Sequence, residues 1–321
     1  MDGGRKFLNV RFAITTNRIH LPSVASSVIF HRDARKSHVV NNNERIDPFT
    51  GTRVHIVAAR QHRPNSPTES CPFCVGGLEA PTEYMVKSIP NRWPALERGV
   101  CEVVLYSSKH DASLASLELA GIRSVIDIWA ERTDALLQQD QIEYVLVFEN
   151  RGAEVGATIQ HPHGQIYAFD HVPARQHQLL SAPWTPDTDA GLREVVSTRD
   201  FISYTQHASI YPVSLVIAPR ERVGSIQELS DAQRTKFATM LRQIFSALDQ
   251  LYSAPLPYMM WITQSPRSKN YKNPWLHIEI VSPMRAPGVQ RYIAAAEVST
   301  NEYFNPVDPT DIAQRLRDLM K

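Results

Sequence analysis

Two long stretches of the chain carry the same order of apolar and polar positions. From Cys101, "CEVVLYS" is a compact β-rich run ending in a serine turn, which predicts a strand. "SLELAGIRSVIDIWAERTDALLQQ" then spaces its apolar residues at helical intervals, and "YVLVF" and "HPHGQIYAF" read as two further strands. From Val213 the series returns as "VSLVIAP", "SIQELSDAQRTKFATMLRQIFSALDQLY", "YMMWITQ" and "WLHIEIVSP". The repeat predicts an α+β protein of two halves related by duplication, ordinary α+β packing being the alternative. The first half covers residues 1–175, including an N-terminal arm of roughly 40 residues, and the second covers residues 190–321. Between them, at 172–190, proline, aspartate and glycine cluster and periodicity fades, as expected of a linker.

Composition narrows the class. With 321 residues, 43% of them hydrophobic, the chain has enough apolar material for a large core. Thirty-four Lys and Arg against 33 Asp and Glu give a net charge of +1, which excludes the broad basic surface that nucleic-acid binding uses. No apolar run reaches about 18 residues, so no membrane span is expected. Arg11, Thr15, Asn17 and Arg18 interrupt the N-terminal segment before it reaches secretory length. There are only three cysteines, and two of them form "CPFC", Cys71 and Cys74. In a large chain that pattern suits a metal better than a disulfide framework, and a reducing cytoplasm is the expected compartment.

The cysteine pair offers two thiolates from a tight turn, half of a tetrahedral zinc site; two buried or redox-active cysteines are the alternative. His110, after "VVLYSS", and His161, both read as lying on strands of the first half, are candidates for the other two ligands. In "HPHGQ", His161 and His163 are two residues apart on an extended segment and so share a face, letting one serve a metal and the other a ligand. Neutral imidazole is a competent nucleophile near pH 7, and attack on phosphorus is the chemistry this placement suggests. Gly164 is read as letting backbone approach a phosphate, and Gln165 as a neutral donor. A proline-kinked strand with two solvated histidines is the plain alternative. Asn150, Gly152 and Gly156 form a small-residue loop without P-loop or dinucleotide spacing. Arg60 and Arg63 are read either as a phosphate clamp or as solvated charge.

Together "RIDPFTGTRVHIVAARQHRP", "CPFC", "PNRWPAL", "FENRGAEVGATIQHPHGQIYA" and "RYIAAAEVSTNEYFNPVDP" resemble the galactose-1-phosphate uridylyltransferase family of the histidine-triad superfamily, from about Arg45 to the C-terminus. The resemblance implies two fused histidine-triad-like halves with mainly antiparallel sheet and packed helices, paired as a homodimer. It implies zinc held by Cys71, Cys74, His110 and His161, with His163 as nucleophile and Gln165 bonded to the transferred phosphoryl group. Arg60, Arg63, Asn91, Trp93, Asn150, Gly156 and Thr158 fall where the family binds the UDP-sugar, and Arg291, Tyr292 and Glu297 near its sugar and phosphate contacts. The implied reaction moves UMP from UDP-glucose through a uridylyl-histidine to a sugar-1-phosphate.

Two stretches depart from that pattern. His277 is followed at i+2 by Glu279, and Thr263 stands where a further histidine would serve a second metal, so one zinc and no second metal are expected. "STNEYFNPVDP" is altered where sugar recognition is expected, which leaves the acceptor open. The competing readings are a nucleotide-sugar phosphorylase or another nucleotidyltransferase with the same His163, and a non-catalytic zinc-stabilised nucleotide-binding protein.

Overall fold

The computed structural model describes residues 43–62 and 70–321, so Arg63 and the N-terminal arm lie outside the described residues. A short hairpin, β1 (Glu44–Ile46) and β2 (Arg53–His55), comes first. The chain continues through β3 (Lys87–Pro90), β4 (Gly99–Leu105), α1 (Leu119–Leu137), β5 (Tyr144–Arg151) and β6 (His163–Phe169). After α2 (Ala174–Ser181) come β7 (Glu194–Ser197), β8 (Phe201–Thr205), β9 (Val213–Pro219), α3 (Asp231–Gln250), β10 (Tyr258–Thr263) and β11 (His277–Ser282). A second hairpin, β12 (Met284–Ala286) and β13 (Val289–Gln290), precedes α4 (Ala295–Thr300) and α5 (Pro309–Leu319).

Nine strands form one antiparallel sheet in the order β3-β4-β6-β5-β10-β11-β9-β8-β7. Apart from β7, that order reads alike from both sides of the β5–β10 seam: β4-β6-β5 on one side answers β9-β11-β10 on the other. The expected α+β class with mainly antiparallel sheet is what forms. Residues 172–190, expected as a plain linker, contain α2. This helix buries only Gln176 and Leu180 and so carries too little apolar periodicity to be read in advance.

Strand alternation divides the sheet into two faces. One face, with Val104, Val145, Val147, Ile166, Leu215, Ile217, Ile278 and Ile280, packs under α1 and α3 in the main core. Helix α1 supplies Ile122, Val125, Ile126, Trp129 and Leu136, all fully buried, at the spacing that keeps them on one stripe. Helix α3 starts at a capping box in which Ser230 and Gln233 satisfy each other's backbone N–H groups. The opposite face carries His163, Gln165 and Tyr167 on β6 and His277 and Glu279 on β11. Over the first half of that face lies the loop around Phe73 and Ala80, packed on Ile89, Val103 and Leu105. Among the described residues, no helix is long and apolar enough to cross a membrane.

Candidate active site and metal centre

The "CPFC" loop and the start of β6 meet at a four-residue cluster. One ligand atom from each of Cys71, Cys74, His110 and His161 lies within 4.8 Å of the others. Cys74 Sγ is 3.4 Å from His110 Nδ1 and 3.6 Å from His161 Nδ1. Zinc bonds of about 2.3 Å to sulfur and about 2.0 Å to nitrogen, across a tetrahedral angle, put such atoms roughly 3.5 Å apart, so the two Cys74–histidine pairs match zinc in spacing and the whole donor set fits it in type. His161 Nε2–H donates to Ser107 O at 2.7 Å, which leaves the Nδ1 lone pair toward the thiols. Tyr84 Oη lies 2.8 Å from the same Nε2 and donates to Phe73 O at 2.6 Å, tying the cysteine loop to the histidine segment. Burial lowers the pKa of His161, the neighbouring His110 acting the same way, and neutral imidazole is the ligating form. Neither histidine sits on a strand as expected: His110 is in an exposed turn beyond β4, and His161 lies two residues before the start of β6.

His163 points elsewhere. Its Nδ1–H donates 2.7 Å to the carbonyl of His161, which selects the tautomer with its lone pair on Nε2. The ring lies 5.1 Å from that of Phe73, centroid to centroid, and lines two clefts that meet at His163, Thr158 and Ile159. The larger, about 440 Å³, includes His110, Ser113, Asn150, Gly152 and Ala157. The smaller, about 140 Å³, includes Phe73, Glu79, Asn91, Arg92, Trp93 and Gln165. Gln165 Oε1 accepts from Asn91 Nδ2 at 3.2 Å, which leaves the Gln165 amide as the donor on that face, and Asn91 Oδ1 in turn accepts from the Trp93 backbone N–H.

Gly164 requires a correction. Its missing Cβ points to the helix side of the sheet, where a methyl would stand 2.1 Å from Tyr106 Oη and 3.1 Å from Phe148 O. Glycine is required there by packing behind the site and not by approach of a phosphate. Gly156, by contrast, ends a single 3₁₀ turn, Ala153–Val155, with φ of 83° and open space around it, a backbone that side chains rarely adopt.

The structure gathers His163, Gln165, Asn91, Trp93, Asn150 and Thr158 around the two clefts. Arg60 lies apart from both, its charge reaching the buried Cys101 thiol on the same face. Arg291 and Glu297 form a buried ion pair, and Glu297 also accepts from the backbone N–H of Ala294 and Phe304. That pair and the exposed Tyr292 line neither cleft. In the second half, Glu279 takes hydrogen bonds from Arg175, Gln206 and Trp261. His277 lies 4.0 Å beneath the stacked ring of Trp184 and beside Thr263 in register. Phe73, Tyr84, Glu79 and Arg92 went unread in the sequence; the signal available was proximity, since Phe73 lies between the two cysteines and Arg92 between Asn91 and Trp93.

Comparison with known proteins matches this arrangement on both sides of the seam. Residues 87–173 match the family model for the N-terminal domain of galactose-1-phosphate uridyl transferase, and residues 160–294 match that for its C-terminal domain. The galactose-1-phosphate uridylyltransferase of Thermotoga maritima is 33% identical over 309 residues, covering 85% of this chain and 97% of that one. A solved uridylyltransferase superposes with a TM-score of 0.79 at 27% identity, covering 86% of this chain and 98% of that one. An ADP-glucose phosphorylase from Arabidopsis thaliana, solved with bound ADP-glucose, superposes with a TM-score of 0.68 at 25% identity and the same coverage. Sequence identity over most of both chains, with the same fold beneath it, places this chain in the galactose-1-phosphate uridylyltransferase family.

Proposed function

We propose that the chain transfers UMP between UDP-glucose and a hexose-1-phosphate, galactose-1-phosphate first, in two displacements through a uridylyl group on His163. The observation that carries this reading is the Nδ1 tether of His163, which sets the nucleophilic Nε2 tautomer where two clefts converge. In-line transfer at phosphorus needs the nucleoside and the leaving sugar phosphate on opposite sides of the reacting atom, and two clefts meeting at one imidazole supply those sides.

In the first displacement His163 Nε2 bonds to the α-phosphorus as the bond to the bridging oxygen of glucose-1-phosphate breaks. In the second, an oxygen of the incoming sugar phosphate takes the uridylyl group and restores the imidazole. Gln165 donates to the non-bridging oxygens, whose charge develops in the transition state; one such donor is worth about 3 kcal/mol. Asn91, Trp93, Asn150, Gly156 and Thr158 hold the nucleotide sugar, and Arg60 and Arg63 are assigned to it by the resemblance alone. Arg291, Tyr292 and Glu297, off the clefts of this chain, act at most on the sugar end. Zinc on Cys71, Cys74, His110 and His161 ties the cysteine loop to the nucleophile strand, a structural role in keeping with four protein ligands. Homodimer assembly and a cytoplasmic location follow from the resemblance, and light scattering of the purified chain tests the first.

A phosphorylase reaction, with inorganic phosphate as acceptor, is the second reading, favoured by the likeness to the Arabidopsis enzyme over 86% of the chain. Incubation with UDP-glucose and ADP-glucose labelled in the α-phosphate, followed by denaturation, separates the two. Retained UMP, released by galactose-1-phosphate, is expected; retained AMP released by phosphate selects the second reading, and no retained label overturns both.

A further inference from the structure

Behind the strand that bears His163, on the opposite face of the sheet, two buried polar groups lie together without full hydrogen-bond partners. Tyr106 is 1% exposed and Glu149 is 5% exposed. Tyr106 Oη interacts with Glu149 and with the indole N–H of Trp129, yet Tyr106 Oη, Glu149 Oε2 and Trp129 Nε1 all fall short of full hydrogen-bond geometry. An orphaned buried polar atom costs about 1–3 kcal/mol, so several side by side call for a reason to be kept.

Their surroundings supply one. Tyr106 Oη fills the space beside Gly164, and the Tyr106 backbone N–H donates 3.1 Å to Pro162 O, so this residue touches both chain neighbours of His163. Its ring is fixed edge-on against Trp129 of α1. Glu149 Oε1 accepts from Tyr258 Oη at 2.7 Å, which carries the contact across the β5–β10 seam. We propose that Tyr106 and Glu149 are positioning residues that brace His163 from behind the sheet. The brace presses on the one position, Gly164, where the strand has no side chain of its own to hold it.

The charged and titratable groups facing Glu149 are Tyr106 at the end of β4, Tyr258 on β10, Arg151 on β5 and Asp249 on α3. Burial pushes its carboxyl up to about 7, against the opposing influence of Tyr258, Arg151 and Tyr106. At a pKa of about 7 the carboxyl is protonated in about half of the molecules at pH 7, and that form can donate from Oε2 to Tyr106 while Oε1 accepts from Tyr258, which satisfies both orphan oxygens. Glutamine has the same donor and acceptor in the same places; leucine has neither.

This inference rests on His163 being the nucleophile, and the test keeps the two apart. Single-turnover transfer of label from UDP-glucose, with ADP-glucose in parallel, is measured for wild type, Tyr106→Phe, Glu149→Gln, Glu149→Leu and His163→Ala. The saturating transfer rate should fall about 10- to 100-fold in Tyr106→Phe and Glu149→Leu, with half-saturating substrate within about twofold, since a small misplacement of a reacting group acts on rate. Glu149→Gln should retain most of the wild-type rate. Should Glu149→Leu fail to fold, the contrast of Tyr106→Phe with Glu149→Gln decides. Rates within twofold of wild type in Tyr106→Phe, or equal losses in rate and apparent affinity, overturn the brace. Transfer persisting in His163→Ala overturns the functional reading instead.

Discussion

Strands β6 and β11 occupy mirrored places in the sheet and open with the same local device. In both, a histidine at the first strand position donates from Nδ1 to the carbonyl two residues back: His163 to His161 at 2.7 Å, His277 to Trp275 at 2.9 Å. Everything around the two imidazoles then differs. Two residues on, β6 has the neutral Gln165 beside an open cleft, whereas β11 has Glu279, a carboxylate that must be matched when buried. Arg175, Gln206 and Trp261 match it, and Trp184 closes over His277. Two residues before, β6 has His161 in the metal cluster, whereas β11 has Trp275, whose indole N–H donates to Pro219 O. One backbone arrangement therefore holds the proposed nucleophile beside open clefts on one side and a packed imidazole on the other. The choice is made by the i+2 residue and by what covers the ring.

The largest separation between the two strands should come from alanine at each histidine. His163→Ala should lower transfer at least about 10³-fold, because the proposed covalent step would lose its nucleophile. His277→Ala should leave transfer within about threefold and cost about 1–2 kcal/mol of stability through lost packing. Steady-state rates with denaturant midpoints check both, and a catalytic loss in His277→Ala comparable to that of His163→Ala would erase the distinction.

Next in size is the cluster of Cys71, Cys74, His110 and His161, the proposed zinc site, which has no counterpart in the second half among the described residues. Cys71→Ser should bring zinc, measured by elemental analysis, below about 0.2 per chain and lower the thermal midpoint by about 5–10 °C. Transfer at low temperature should decline less than stability does. Full zinc occupancy in the variant would take Cys71 out of the set.

Much of this layout was legible beforehand, for identifiable reasons. The strands of the repeat and helices α1 and α3 announce themselves because their apolar positions keep the strand period or the helical one over their whole length. Cys71, Cys74, His110 and His161 could be named because metals accept few side-chain types. Helix α2 could not be read, since "ARQHQLLS" buries two side chains in eight residues. Tyr84, Tyr106 and Glu149 also went unread: an aromatic or acidic residue in a strand-rich stretch looks the same whether it packs a core or holds a functional residue in place. Gly164 was noticed for the wrong neighbour, because sequence does not say which face of a strand a missing side chain opens onto.

The smallest expected effect concerns the matched carboxylate of the second half. Burial alone would raise the Glu279 pKa, but Arg175, His277 and Gln206 outweigh it and hold the carboxyl below its usual range. A depressed carboxylate contributes stability above the unfolded value, about 4.3, and that contribution is lost as pH falls through the lower folded value. Arg175→Met should therefore cost about 1–2 kcal/mol at pH 7, well short of a fully buried pair because the Arg175 side chain is 54% exposed. The deficit relative to wild type should shrink below about pH 4. Urea midpoints at the two pH values measure it, and a deficit constant with pH would mean that Arg175 acts through packing alone.

The β5–β10 seam has a mechanical consequence. Four consecutive cross-strand pairs, Tyr258 with Arg151 through Trp261 with Phe148, stitch the halves, and Arg151 adds a bidentate bond to Asp249 of α3. A hinge or shear between the halves would have to break that ladder, so substrate cannot be enclosed by two lobes swinging together. Excluding water from the reacting phosphorus falls to the backbone segments at the cleft mouths, residues 70–79 and 152–160. Movement at the cleft mouths is then left to residues 152–160 over a fixed floor, since the cluster of Cys71, Cys74, His110 and His161 ties down the other segment, and strands β4, β5 and β6 should keep their amide protection from hydrogen exchange when UDP-glucose is added.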